Sequence, residues 1–252
     1  MTRIILSGCN GKMGQTIVRA VDQREDAVIV AGVDIFTSCG YDFPVFDDFS
    51  KIDISADVII DFSNPSTLDG LLAYACKHKT PAVICTTGYS AAQVASIKKA
   101  AETVAIFYSG NMSLGINLLI ALSKKAAAVF GREFDIEIIE KHHNQKIDAP
   151  SGTALMIADG IASVMEKEPQ YVYDRHSYRK KREKNEIGIH TVRGGTIVGE
   201  HEVLFAGHDE VLAIKHQAQS KEVFATGAVN ASVFLNGRAA GMYDMADLLA
   251  AK

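Results

Sequence analysis

Arg3-Ile4-Ile5-Leu6-Ser7-Gly8-Cys9-Asn10-Gly11-Lys12-Met13-Gly14 decides the fold of this chain. A short apolar run ends in a spaced glycine pattern, Gly8-x-x-Gly11-x-x-Gly14, and a helical periodicity runs on to Gln23. Strand, tight turn and helix in that order begin a parallel α/β unit. Gly8 allows the turn, Gly11 lets the backbone approach a diphosphate, and Gly14 lets the helix lie close to the sheet. Such a helix start presents free amides and the positive end of its dipole to phosphate. The spacing is a variant of the commoner G-x-G-x-x-G, so the flanking strand and helix carry the reading.

The same alternation extends downstream. Apolar runs at 27–33, 57–62, 81–86 and 104–108 are separated by helical stretches at 65–78 and 91–102, which predicts parallel strands joined by crossover helices. Val58-Ile59-Ile60 and Ala82-Val83-Ile84 are apolar throughout, as strands covered on both faces are. Asp34 ends the second run, where a carboxylate can accept hydrogen bonds from adenosine ribose hydroxyls. It repels the extra phosphate of NADP, and Ile35 and Phe36 offer no cation for that phosphate. NADH is therefore the expected preference, with NADPH as the alternative that Lys12 could partly support. Asp61-Phe62-Ser63, Cys85-Thr86-Thr87-Gly88 and Ser109-Gly110-Asn111-Met112 each close a later strand at its carboxyl end, the ligand-binding edge of open α/β sheets.

After a helix at 115–130 the character changes. Phe134 to Glu140 alternates at period two, and further strand-like runs fall at 189–193, 196–206 and 210–219. Gly194-Gly195 and Gly207-His208-Asp209 are expected as hairpin turns. The predicted fold class is thus α/β: a Rossmann-type parallel-sheet domain plus a second α+β domain with a mostly antiparallel open sheet. The expected boundaries are residues 1–113, completed by 221–252, for dinucleotide binding, and 114–220 for the second domain. The basic run Arg175 to Lys184 reads as a solvated loop.

Between strand and helix of the second domain lies Glu140-Lys141-His142-His143-Asn144-Gln145-Lys146-Ile147-Asp148-Ala149-Pro150-Ser151-Gly152-Thr153-Ala154. Two imidazoles, an ammonium and a Ser-Gly-Thr helix start in one segment suit an anionic small molecule that must be held and protonated. Ser151 or Asp148 is placed to cap the helix, and the amides and hydroxyls of Ser151-Gly152-Thr153 sit at the positive end of its dipole. Lys146 can donate a proton and His142 can donate or accept near neutral pH. A metal site from His142, His143 and Asp148 is disfavoured because Lys146 would repel the ion, so no metal is expected.

Composition bounds the rest. A 252-residue chain that is 48% hydrophobic and 22% charged has ample apolar content for a core. A net charge of −4 does not make a nucleic-acid footprint. The first residues are too short an apolar run for a signal peptide, and no segment approaches a membrane span. Cys9, Cys39, Cys76 and Cys85 show no C-x-x-C pairing, which fits a reduced, cytoplasmic compartment.

Taken together, the glycine loop, Thr86-Thr87-Gly88, Asn111-Met112-Ser113-x-Gly115-x-Asn117, the stretch from Glu140 to Ala154, Arg193-Gly194-Gly195-x-x-x-Gly199-x-His201 and His216-x-Ala218-x-Ser220 closely resemble the 4-hydroxy-tetrahydrodipicolinate reductase (dihydrodipicolinate reductase) family. The resemblance covers nearly the full length. It implies reduction of a cyclic imine-type dicarboxylate by NADH or NADPH in the diaminopimelate route to lysine. His142 and Lys146 would act in proton transfer, with His143, Ser151, Gly152 and Thr153 holding substrate carboxylate. The cofactor would lie on Gly8, Cys9, Asn10, Gly11, Lys12, Met13, Asp34, Cys85, Thr86, Thr87, Ser109, Gly110, Asn111 and Met112. A homotetramer built through the second-domain sheets is implied as well. Cys85 stands where the family usually has glycine. The rival readings are a diamino-acid dehydrogenase of the same architecture and a nucleotide-binding sensor without catalysis.

Overall fold

The computed structural model describes residues 1–38 and 40–251, so Cys39 lies outside the described residues. In chain order the strands are β1 (Thr2–Ser7), β2 (Ala27–Val33), β3 (Val45–Phe46), β4 (Val58–Asp61), β5 (Ala82–Ile84), β6 (Ala105–Tyr108), β7 (Asp135–His142), β8 (Gln170–Val172), β9 (Glu186–Arg193), β10 (Gly199–Ala206), β11 (Val211–Ala218) and β12 (Gly241–Tyr243). The α-helices are α1 (Lys12–Asp22), α2 (Leu68–His78), α3 (Ala91–Ala101), α4 (Leu114–Phe130), α5 (Gly152–Ala162), α6 (Glu222–Leu235) and α7 (Met245–Ala250). Two compact units result, Met1–Ser113 with Lys221–Lys252, and Leu114–Ser220. None of the described helices is long and apolar enough to cross a membrane.

The first unit is a seven-stranded sheet in the order β12-β6-β5-β4-β1-β2-β3, with every pairing parallel. Ile4, Ile5, Leu6, Val58, Ile59 and Ile60 are fully buried because the central strands are covered on both faces. The strand order reverses between β1 and β4, which opens the crevice at their carboxyl ends. Two edge strands, β3 and β12, were not expected from the sequence; runs of two and three residues are too short to show a period.

The second unit is a five-stranded sheet in the order β11-β10-β7-β9-β8. Its pairing is mixed rather than mostly antiparallel. β10 runs antiparallel to β7 and β11, while β7 with β9 and β8 with β9 are parallel. The cause is the crossover through α5, which returns the chain parallel to β7. Gly207 to Asp209 turns the β10–β11 hairpin, whose ends pair Ala206 with Val211. Gly194-Gly195 is not a hairpin turn: β7 lies between β9 and β10, so the chain passes over it. Along β7 burial alternates, with Ile136, Ile138, Glu140 and His142 buried on one face. There Ile136 and Ile138 pack with Ile157 and Ile161 of α5 and Leu119 of α4.

The basic run is also tied down more than a solvated loop would be. Arg182 donates to Glu137, Asp135 and the carbonyls of Ile136 and Glu186, and Arg175 donates to Glu137 and Glu186. The intervening Arg179, Lys180 and Lys181 are exposed.

Candidate functional site

In the first unit the loop leaves no room for a side chain at Gly8 or Gly14. Gly8 has φ +77°, and a Cβ there would stand 2.5 Å from the Phe62 carbonyl oxygen. A Cβ on Gly14 would stand 2.1 Å from the Gly8 carbonyl oxygen. Gly11 is the N-cap of α1 and makes no side-chain capping bond, so the helix amides keep the anion-binding character described above. A dinucleotide fits this arrangement on that ground. Asp34 joins the loop to the end of β2: one carboxylate oxygen accepts the Asn10 amide at 3.0 Å and the other the Phe36 amide at 3.2 Å. Asn10 in turn donates its side-chain amide to the Phe36 carbonyl. Lys12 is exposed and Met13 half-buried.

The other predicted cofactor residues divide by what their side chains already do. Cys9, Cys85 and Met112 are buried, so only their backbone would be open to a ligand. Burial, helped by the Asp61 carboxylate, pushes the Cys85 thiol well above its ordinary range. Thr86 is committed internally: its hydroxyl donates to Asp61 at 2.6 Å and accepts the Ser63 amide at 2.9 Å. Asp61 also accepts from the Ser63 hydroxyl and, at 3.3 Å, from the Tyr89 hydroxyl. Asn111 accepts the Ser113 amide, and the Ser109 hydroxyl donates to the Asn111 carbonyl. Thr87 and Gly110 are exposed.

In the second unit sheet register assembles the chemistry. The parallel β7–β9 ladder sets Thr191 beside Glu140 and Arg193 beside His142, and the antiparallel β7–β10 ladder sets His201 opposite Glu140. Glu140 is 0% exposed. Arg193 grips it with two N–H donors at 2.8 Å each, the Ser151 amide donates at 3.0 Å, the Thr191 hydroxyl at 3.1 Å, and His142 Nδ1 lies at 2.6 Å. Burial pushes the Glu140 carboxyl up, but the bonds from Arg193, His142 and Ser151 prevail and hold it below the usual carboxylate range. Removing one partner of such a buried pair costs about 3–5 kcal/mol.

Burial lowers the His142 imidazole below its ordinary value, against the opposing pull of Glu140. His201 packs edge-on against it, with ring centres 5.2 Å apart, and its Nε2 meets the Ser151 hydroxyl at 3.2 Å. Burial, then the neighbouring His142, push His201 down to about 4.

Ser151, rather than Asp148, caps α5, its hydroxyl accepting the Ala154 amide at 3.1 Å. Gly152 is exposed and Thr153 half-exposed at the helix start. Asp148 instead pairs with Lys146 at 2.7 Å. The Lys146 ammonium, with help from the Gly152 amide, keeps the Asp148 carboxyl below its usual range. Arg193 donates to the Asp148 carbonyl, tying this loop back to Glu140. His143 is half-exposed in the same loop.

The structure thus gathers His142, Lys146, Ser151, Gly152 and Thr153 onto one strand end, loop and helix start. Glu140, Arg193, His201 and Asp148 belong to the same cluster but were not read as site residues. Glu140 had a signal: in the alternating run it shares parity with Ile136 and Ile138, which points a carboxylate into a core. Arg193 and His201 had only their place in the motif Arg193-Gly194-Gly195-x-x-x-Gly199-x-His201, because their proximity to Glu140 depends on strand order.

A parallel sheet with a glycine-rich strand-to-helix loop in one unit, and a caged imidazole with an ammonium in the other, define the class as a pyridine-nucleotide-dependent oxidoreductase. The family models described as dihydrodipicolinate reductase N-terminus and C-terminus match residues 2–112 and 115–249. The 4-hydroxy-tetrahydrodipicolinate reductase of Clostridium novyi is 48% identical over 252 residues, covering 100% of both chains. That of Caldanaerobacter subterraneus subsp. tengcongensis is 51% identical, covering 99% of this chain and 98% of the relative. Among solved structures, the dipicolinate-bound dihydrodipicolinate reductase of Paenisporosarcina sp. TG-14 superposes with a TM-score of 0.81 at 27% identity, covering 97% of each chain. The chain belongs to the 4-hydroxy-tetrahydrodipicolinate reductase (dihydrodipicolinate reductase) family. The DAP dehydrogenase of C. glutamicum, at TM-score 0.58 and 12% identity, shares the fold alone.

Proposed function

We propose that this chain reduces 4-hydroxy-tetrahydrodipicolinate to tetrahydrodipicolinate in the diaminopimelate pathway of lysine biosynthesis, with Lys146 and His142 serving proton transfer. The observation that carries the residue assignment is the Lys146–Asp148 pair beside the amide-rich start of α5. Loss of water from the 4-hydroxy compound gives a conjugated C=C–C=N dicarboxylate, and one hydride and one proton then complete the reduction. When bound, a reduced nicotinamide supplies the hydride. Negative charge develops on the far end of the conjugated system, where Lys146 Nζ donates the proton. The half-exposed pair with Asp148 is worth only about 0–1 kcal/mol, so Lys146 exchanges that carboxylate for substrate at little cost. Gly152 and Thr153 amides, the Ser151 helix start and His143 hold substrate carboxylate, using the same dipole end that favours the Asp148 carboxylate. Cationic surroundings stabilise charge as it forms in the transition state.

The cofactor residues proposed are Gly8 to Met13, Asp34, Cys85 to Thr87 and Ser109 to Met112, with Cys9, Cys85 and Met112 contributing backbone only. Asp34, with no cation at Ile35 or Phe36, supports NADH as the preferred donor. Thiols at Cys76 and Cys85 support a cytoplasmic setting. Ile139, Val192 and Val211 lie on the face of the second sheet turned away from its helical layer, and Val192 and Val211 are exposed; we assign this face to a homotetramer, which light scattering tests.

The deciding experiment is a spectrophotometric assay of reduced-nicotinamide consumption with substrate generated by a coupled synthase, run with NADH and NADPH in parallel. Turnover with faster use of NADH supports both assignments. No consumption overturns the activity, and a clear preference for NADPH overturns only the role of Asp34.

A further inference from the structure

We infer that Glu140 is a positioning residue that fixes the tautomer of His142, placing the proton on Nδ1 and leaving Nε2 as a hydrogen-bond acceptor toward the reacting molecule. This deepens the proposed reduction and rests on that reading of the site. Two N–H groups of Arg193, the Ser151 amide and the Thr191 hydroxyl all donate to Glu140. A carboxylate surrounded by donors can only accept, so the 2.6 Å contact requires that His142 Nδ1 carry the hydrogen. No described side chain bonds His142 Nε2. Gly199 keeps that side of the ring clear: a Cβ there would come within 3.1 Å of Nε2.

The charged and titratable groups around the ring are Glu140 on its own strand, Lys146 on the following loop, Arg193 on β9 and His201 on β10. Two cations and burial disfavour a second proton, so the imidazole is neutral at neutral pH. Division of labour follows. Lys146 is the donor of the reaction, while His142 accepts a hydrogen bond from the substrate or from the ammonium itself and so aims the transferred proton. The arrangement has the logic of a carboxylate that orients a catalytic imidazole.

Nitrogen-15 side-chain NMR of histidine-labelled protein, with the His142 signals assigned by their loss in His142→Gln, reads the tautomer directly. Wild type is expected to show a protonated Nδ1 and a bare Nε2 at pH 7. Protonated Nε2 with bare Nδ1, or a doubly protonated ring, would overturn the inference. The readout needs no turnover, so it stands apart from failure of the activity assay. Glu140→Gln, whose amide can donate to Nδ1, is expected to shift the ring toward the Nε2–H form and lower kcat about 10²-fold or more, with coenzyme affinity unchanged. An unchanged tautomer and kcat in a folded Glu140→Gln would also refute it. Should that variant not fold, the wild-type spectrum still decides.

Discussion

Among the described residues two carboxylates are fully buried at the carboxyl ends of strands, Asp61 on β4 and Glu140 on β7, and they are satisfied in opposite ways. Asp61 is held by the hydroxyls of Ser63, Thr86 and Tyr89. Glu140 is held by a guanidinium, an imidazole, a backbone amide and only one hydroxyl. Neutral donors fix a turn and shape the backbone at the carboxyl edge of the sheet. A cationic donor, Arg193, keeps a charge in the interior, and that charge orients the neighbouring His142 imidazole. The carboxylate of the first unit therefore orders backbone and hydroxyls, and that of the second orders side chains that carry charge or protons.

That contrast predicts different consequences when each half is disturbed. The largest concerns turnover. Lys146→Ala should lower kcat by about 10²-fold or more. Asp61→Asn should leave kcat near wild type and lower stability by about 1–3 kcal/mol, because an amide presents donors to donors. Steady-state kinetics beside urea denaturation checks both, and a collapse of kcat in Asp61→Asn with intact stability would erase the distinction.

Next in size is the acid response of the cation-rich cluster. His201 has a folded value of about 4 against an ordinary 6.5, so below pH 6.5 the unfolded chain takes up a proton that the folded chain refuses. Stability thus falls as pH drops from about 6.5 to 4, by about 2–3 kcal/mol from this group. Glu140, with its folded value depressed, adds to the loss further down, as pH falls through that value. Urea melts at pH 7 and pH 4.5 should show the decline, and His201→Gln should flatten the upper part. A flat wild-type profile would mean that the cluster titrates as it does unfolded.

Ser151→Ala removes a helix cap and a partner of His201, and should cost about 1 kcal/mol together with a raised KM for the dicarboxylate. A KM change without a stability change would separate the two roles of this serine. The smallest effect belongs to the hydroxyl-held side: Cys85, buried beside Asp61, should resist thiol reagents in the native protein. Rapid labelling of Cys85, read by peptide mass mapping, would contradict its placement.

The first unit was legible because its signals are local. The apolar runs at Ile4 to Leu6 and Val58 to Ile60, and glycines at fixed offsets, determine strand, turn and helix without reference to distant residues. The second was legible as a motif but not as a geometry. His142, Lys146 and Ser151 stand within one segment and could be read together. Arg193 reaches Glu140 only because β9 lies parallel to β7, and Gly194-Gly195 looked like a hairpin because nothing near it announces that β7 lies between β9 and β10. Thr86 shows the converse limit: its place at a strand end was legible, but not that its hydroxyl is bonded to Asp61 and Ser63.

The central claim is that the loop after β7 and the start of α5 hold and protonate a dicarboxylate. A crystal structure of the chain with reduced nicotinamide cofactor and dipicolinate tests it most directly. The prediction is a ligand carboxylate on the Gly152 and Thr153 amides, with Lys146 Nζ turned from Asp148 to the ligand. A dicarboxylate bound elsewhere, with Lys146 still on Asp148, would contradict it.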